Sequence, residues 1–256
     1  MSSPTVLMYH AFGQRDDRTD PHRMFVPVEQ FERQLTYLLH NRFRLLTLEE
    51  YVAGHHRSSW PRRSVLITID DGYESTVTEA APLLARFGIP AVLFALAGRM
   101  AGRSDWMNDM PDEPLLSERQ LQALPGQGID VQVHGWDHRS LNGLPADELT
   151  RQVADARARL ADVMGHAMTS FAYPSGRHDA AARAAVEKAG FSLGFAVHDC
   201  LPGSYALRRV DLNSTDNDTS FRLKMSPGYR LATATVGRIG PVRRLGHRLV
   251  GSTRSK

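Results

Sequence analysis

Two adjacent carboxylates, Asp70 and Asp71, end the apolar run "LITIDDGY" at residues 66–73. Asp and Gly are common turn formers, so one reading is a solvated turn closing a buried strand. The chemical reading is that one carboxylate binds a metal while its neighbour handles protons, and it requires partners elsewhere in the chain. The stretch "VHGWDHRSL" offers them by placing His134 and His138 four residues apart. If the chain enters a helical turn after the strand, both imidazoles face the same way. They can then chelate one ion, with a carboxylate from a neighbouring strand as third ligand. Two His and one Asp leave coordination positions open for water and substrate. On a solvated helix the same pair would do nothing.

The elements that must position these groups are read from periodicity. Apolar, β-branched or aromatic runs of strand length occur at 5–10, 64–70, 90–97, 129–134, 170–174 and 193–197. Between them lie helix-patterned segments at 28–41, 76–87, 117–124, 145–164 and 178–189. In the first, Phe31, Leu35, Leu38 and Leu39 are expected on one face. Glycines in "RFGIP", "GQGID" and "KAGFS" fit left-handed helix stops before the next strand. This alternation predicts βα units and a parallel sheet, open or closed into a barrel. Polar groups at the C-terminal ends of parallel strands gather at one site. Asp70 and Asp71, His134, His10 after "TVLMY" and the "YPSG" stretch at 173–176 all stand at such ends. Residues 98–116 show no period and read as a long loop of the kind that often carries function.

Several motifs together resemble one family. "TIDDGY" resembles the TFDDG motif of polysaccharide deacetylases, the NodB-homology or carbohydrate esterase family 4 enzymes. "HGWDH" is similar to their H-[ST]-x-x-H motif, with Gly135 in the small-residue position, and "FAYPSG" to the FAYPYG form of their third motif. "VLMYHAF", "FERQLTYLLHNRFRLLTLEEYV" and "LLARFGIPAVLFA" resemble the exopolysaccharide, poly-N-acetylglucosamine deacetylase-like branch. The resemblance spans about residues 5–225.

It implies a distorted (β/α) barrel in a single domain and metal-dependent removal of acetyl groups from an N-acetylated sugar. Asp71, His134 and His138 would hold a divalent ion, zinc first, with Co2+, Ni2+ or Mn2+ as alternatives. Asp70 would be the general base, and the backbone N–H of Ser175 would help hold the tetrahedral oxyanion. No clear copy of the late L-x-H motif is present; in the exopolysaccharide branch that the chain resembles, a His in an N-terminal "YH" takes that place, which implies His10 in "LMYH" as general acid, with His198 in "GFAVHD" as runner-up. Tyr173 and Trp136 are expected at the substrate, and Trp106 and Trp136 as sugar-stacking surfaces. Where relatives carry an arginine that orients the catalytic Asp, this chain has Ala172. Asp70 must then be held by backbone or by another side chain. Arg208 and Arg209 precede "VDL", and either is placed to reach the site or to remain a surface charge.

The alternatives are hydrolysis of a non-sugar C–N bond, an inactive carbohydrate-binding homologue, and a ferrous oxygenase, which would leave the second Asp unexplained. Composition bounds the rest. The 256 residues suit a barrel domain over 1–228, followed by a basic tail over 229–256. From Arg230 to Lys256 there are seven basic residues and no acidic one. The stretch 236–251 intersperses apolar residues with arginine, which fits contact with an anionic membrane surface rather than specific nucleic-acid binding; a solvated terminus and a barrel-closing helix are the alternatives. Cys200 is the only cysteine, so no internal disulfide forms. With neither a secretory pattern nor a membrane span, the chain reads as cytoplasmic, either free or peripheral to a membrane. A processed or truncated N-terminus would read the same, which leaves export open.

Overall fold

Each of the six apolar runs forms a buried parallel strand: β1 (Thr5–Tyr9), β5 (Ser64–Ile69), β6 (Ala91–Ala95), β7 (Ile129–Val133), β8 (Ser170–Ala172) and β9 (Leu193–Ala196). Strands that bury both faces need near-continuous apolar sequence, which explains why they are legible as runs and not as alternations. The computed structural model describes residues 3–226 together with 228 and 229. It adds five two-residue strands: β2 (Ala11–Phe12), β3 (Phe25–Val26), β4 (Arg44–Leu45), β10 (Leu207–Arg208) and β11 (Val210–Asp211).

The main sheet runs β10-β9-β8-β7-β6-β5-β1-β11, with β4 also pairing β5 and every pairing parallel. Its two edge strands are consecutive in the chain, separated by Arg209 alone. One segment, Leu207–Asp211, therefore pairs with β9 through its first half and with β1 through its second. The Arg209 N–H donates to the Ala196 carbonyl at 3.0 Å and the Leu212 N–H to the Met8 carbonyl at 2.9 Å. The sheet comes round nearly to a closed barrel, as predicted, and Arg209 sits at the seam. The interior is filled by Val6, Leu66, Val92, Phe94, Leu193 and Phe195, against which Leu48 and Tyr51 of an outer helix pack.

The outer helices are α1 (Val28–His40), α2 (Leu48–Arg57), α3 (Ala81–Phe87), α4 (Glu118–Ala123), α5 (Ala146–Thr150), α6 (Ala156–Met164) and α7 (Ala180–Lys188). In α1, Phe31, Leu35 and Leu38 are buried, but Leu39 is 39% exposed. At about 100° per residue it lies roughly 80° around the helix from Phe31, at the edge of the apolar stripe. Helix α2 was not evident from apolar spacing; a capping box between Thr47 and Glu50 defines its start. The predicted helices 76–87 and 145–164 each contain a widened turn, Thr76–Ala80 and Arg151–Asp155, of the kind that marks functional sites.

The described residues divide into two compact units, the first ending at Asn217 and the second opening at Asp218 with α8 (Asp218–Lys224). Apart from Tyr229, the basic tail and its amphipathic stretch lie outside the described residues. Among the described residues no helix is long and apolar enough to cross a membrane.

Candidate active site

The Asp doublet is split by a very tight turn. Asp70 continues the strand register, its N–H donating to the Tyr9 carbonyl at 2.9 Å. The chain then reverses within three residues: the Gly72 N–H donates to the Asp70 carbonyl at 2.9 Å, with Asp71 at φ +73° between them. A turn of this sense is rare and strained for a residue with a side chain, and such strain is retained where the surrounding structure over-determines it. It sends two neighbouring carboxylates, both 2% exposed, to different partners.

Asp71 meets the histidines. The Nε2 atoms of His134 and His138 each stand 3.2 Å from its Oδ1. Burial works to raise the Asp71 pKa, but the charge of His138 and then the contacts with His134 outweigh it and hold it well below the usual carboxylate value. Neither imidazole is aligned as a donor, so Oδ1 is buried without a hydrogen-bond partner. A buried, orphaned carboxylate oxygen faced by two imidazole nitrogens is what a divalent cation would satisfy. One ligand atom from each residue lies within 4.8 Å of the others, so the three fit such an ion.

The chain between the histidines does not form the helical turn expected. It is an irregular loop, with Gly135 at φ +86° and His138 at φ +66°. Buried Gln152, in the widened turn between α5 and α6, pins that loop. Its Oε1 accepts the Trp136 N–H at 3.0 Å and its Nε2 donates to Asp137 Oδ1 at 2.6 Å. A Cβ at Gly135 would approach this same Oε1 to 3.3 Å. Convergence of the imidazoles thus comes from a tertiary clamp and not from helical periodicity.

Asp70 is held by Arg209. Arg209 is 3% exposed, and its guanidinium makes a two-pronged contact, Nη1 to Oδ1 at 2.6 Å and Nη2 to Oδ2 at 2.7 Å. It also donates to Thr68 Oγ1 at 3.4 Å and lies 5.7 Å from the centre of the Phe94 ring. Burial pushes the Asp70 pKa up, while Arg209 first, then His134 and His10, outweigh it and leave it lowered. Asp70 is therefore ionised at neutral pH yet is not drawn into the histidine pair; its nearest approach to His134 Nε2 is 3.9 Å. Of the two arginines that the sequence left open, Arg209 reaches the site. Local pattern held no signal to distinguish it from Arg208.

These groups open on a cleft of about 370 Å³ whose lining includes His10, Asp70, Asp71, His134, His138, Ser175 and His198, together with Trp106. Ser175 has φ +59°, and its N–H meets no acceptor among the described residues. Two expected site residues fall outside this lining. Trp136 packs against Gly98, where a Cβ would come within 2.2 Å of its Nε1, and its ring faces the Arg151 guanidinium at 5.2 Å. Tyr173 is buried, its hydroxyl donating to the Tyr205 carbonyl at 2.9 Å. Both are drawn away from the cleft by packing partners distant in sequence. Met8, Met24, Met107 and His22, by contrast, line the cleft without having been singled out in the sequence.

Comparison with known proteins bears on the family and the fold. Residues 57–194 match the family model described as polysaccharide deacetylase. The chain is 29% identical over 222 residues to "Putative polysaccharide deacetylase YxkH" of Bacillus subtilis (strain 168), covering 84% of this chain and 74% of that protein. It is 26% identical over 183 residues to the poly-beta-1,6-N-acetyl-D-glucosamine N-deacetylase of Staphylococcus aureus (strain MRSA252), covering 68% of this chain and 61% of the relative's length. The fold is similar to that of the Streptococcus pyogenes deacetylase PplD in complex with acetate, with a TM-score of 0.76, 20% identity and coverage of 87% of this chain and 98% of that one. The split doublet and its histidine partners lie inside the matched segment, and with the family model covering more than half of its length the chain belongs to the polysaccharide deacetylase family.

Proposed function

We propose that the protein is a metal-dependent hydrolase that removes acetyl groups from an N-acetylated glycan. The observation that carries the reading is the division of the Asp doublet: Asp71 joins two imidazoles around an orphaned oxygen, while Asp70 is kept apart and ionised by Arg209. A divalent ion held by Asp71, His134 and His138 would polarise the acetamide carbonyl and make water more acidic beside it. Asp70 accepts the proton as a water oxygen bonds to the carbonyl carbon. The Ser175 N–H, which meets no acceptor among the described residues, donates to the oxygen on which negative charge develops. His10, at the end of β1 on the cleft wall, gives a proton to the departing nitrogen, so that the C–N bond breaks to acetate and a free amine. His198 also lines the cleft and is the second candidate for that proton.

The test is metal analysis combined with acetate release from N-acetylated monosaccharides, oligosaccharides and polymers, including β-1,6-linked N-acetylglucosamine. Expected is release that chelator abolishes and a divalent ion restores. Full activity in protein shown to be free of metal would refute the reading. Release from small cyclic amides but from no saccharide would replace the substrate class with a non-sugar C–N bond.

A further inference from the structure

We infer that Trp106 is a positioning residue for the metal ligands: its indole, laid against His138, fixes the ring that no hydrogen bond fixes, and so sets how tightly the site takes a divalent cation. The inference rests on reading Asp71, His134 and His138 as a metal site.

The two histidines are supported unequally. His134 is 1% exposed and its Nδ1 bonds the Ala172 carbonyl at 2.8 Å, the outer contact that usually sets a liganding imidazole's tautomer and ring plane. The His138 side chain is more open, at 14% exposure, and rides on a left-handed residue of an irregular loop. Its Nδ1 makes no hydrogen bond to the described residues. What restrains the ring is Trp106, with centroids 4.6 Å apart and planes within 16°. Rotation of the imidazole about its Cβ–Cγ bond would drive it into the indole face.

Trp106 is itself held, so it can act as a wall. Its loop is tied by Arg99 to Asp105 at 2.9 Å and by the Ser104 hydroxyl accepting the Glu113 N–H at 2.9 Å. The indole packs beside Tyr73, at 6.3 Å between centroids, against a cluster that includes Phe25, Met110 and Leu115. Segment 98–116, aperiodic in sequence, thereby delivers one rigid aromatic face to one ligand. That face is then occupied and is closed to a stacking sugar.

The experiment is a Zn2+ competition titration against a chromophoric chelator, with the visible absorption of the Co2+-loaded protein as a second readout. Trp106→Ala is expected to weaken Zn2+ binding about 10-fold, at the low end for loss of an outer contact to a ligand, and to alter the Co2+ bands. Trp106→Phe, which keeps a stacking ring, should stay within about 3-fold of wild type by the same argument. Trp106→Leu, which keeps apolar volume without an aromatic face, should behave like the alanine variant and serves if that one does not fold. Wild-type affinity and spectrum in the Ala or Leu variant would overturn the inference, as would equal weakening in the Phe variant. Wild-type protein that binds Zn2+ no better than Asp71→Asn would instead refute the metal site itself.

Discussion

Replacing Arg209 with methionine should disable Asp70 without emptying the proposed metal site. The two contacts at 2.6 and 2.7 Å are charge-assisted and fully buried, and each such bond is worth about 1.5–3 kcal/mol. Breaking a buried pair from one side typically costs about 3–5 kcal/mol, because the partner charge is left uncompensated. Asp70 has a route to relieve that cost: with Arg209 gone, the burial that already pushes its pKa up is opposed only by the two histidines, so the carboxyl takes up a proton at higher pH than in wild type. Two measurable effects follow. Urea unfolding at neutral pH should show a loss of about 3 kcal/mol or more. Acetate release should fall at least about 100-fold, the lower end of what a positioned base contributes, with the acidic limb of the rate profile displaced to higher pH. Metal content should be unchanged, since Arg209 makes no contact with the histidines. Adding Asp70→Asn to Arg209→Met removes the stranded carboxylate and should recover much of the stability and none of the activity. A folded Arg209→Met protein with wild-type stability and turnover would refute the reasoning.

Other outcomes separate the remaining roles. Asp70→Asn should abolish turnover with metal nearly intact, whereas Asp71→Asn should lose the metal; metal analysis and acetate release on both proteins decide this. His10→Ala should lower kcat on amide substrates more than on activated acetate esters, whose leaving group needs little protonation, and equal losses on both would point to a structural role. Asp179 caps α7, accepting the Ala182 N–H at 2.8 Å and, through its other oxygen, the Gly143 N–H at 2.8 Å. These bonds lower its pKa, so its contribution is fully present above the ordinary carboxylate value and is lost as the pH falls through the lower folded one. Asp179→Ala should therefore cost about 1 kcal/mol in urea unfolding at neutral pH, with the difference from wild type shrinking below about pH 4.

The barrel was legible in the sequence because its strands are buried on both faces and so appear as unbroken apolar runs. Strands of two residues carry no such signal, and β10 and β11 were missed for that reason. The proposed ligand residues could be picked out by type and spacing, yet the geometry that brings them together could not: His134 and His138 converge through a loop clamped by Gln152, not through a helical turn. Trp136 and Trp106 illustrate the same limit. Their aromatic character was plain, but which of them faces the cleft depends on Gly98 and Arg151 in one case and on the 98–116 loop in the other.

How Asp70 is held without an arginine at position 172 has its answer in the barrel's closure. Ala172 belongs to the interior cluster that contains Phe94, and the Arg209 guanidinium lies over that same Phe94 ring. A small side chain on β8 leaves the interior open to an arginine entering from the seam, where the segment Leu207–Asp211 passes from β9 to β1. Because that arginine's own N–H is bonded to β9, the group that orients the carboxylate is anchored by the hydrogen bond that closes the sheet. Closure of the fold and ionisation of the proposed base thus depend on one residue, so that damage to the seam should be read first in the state of Asp70.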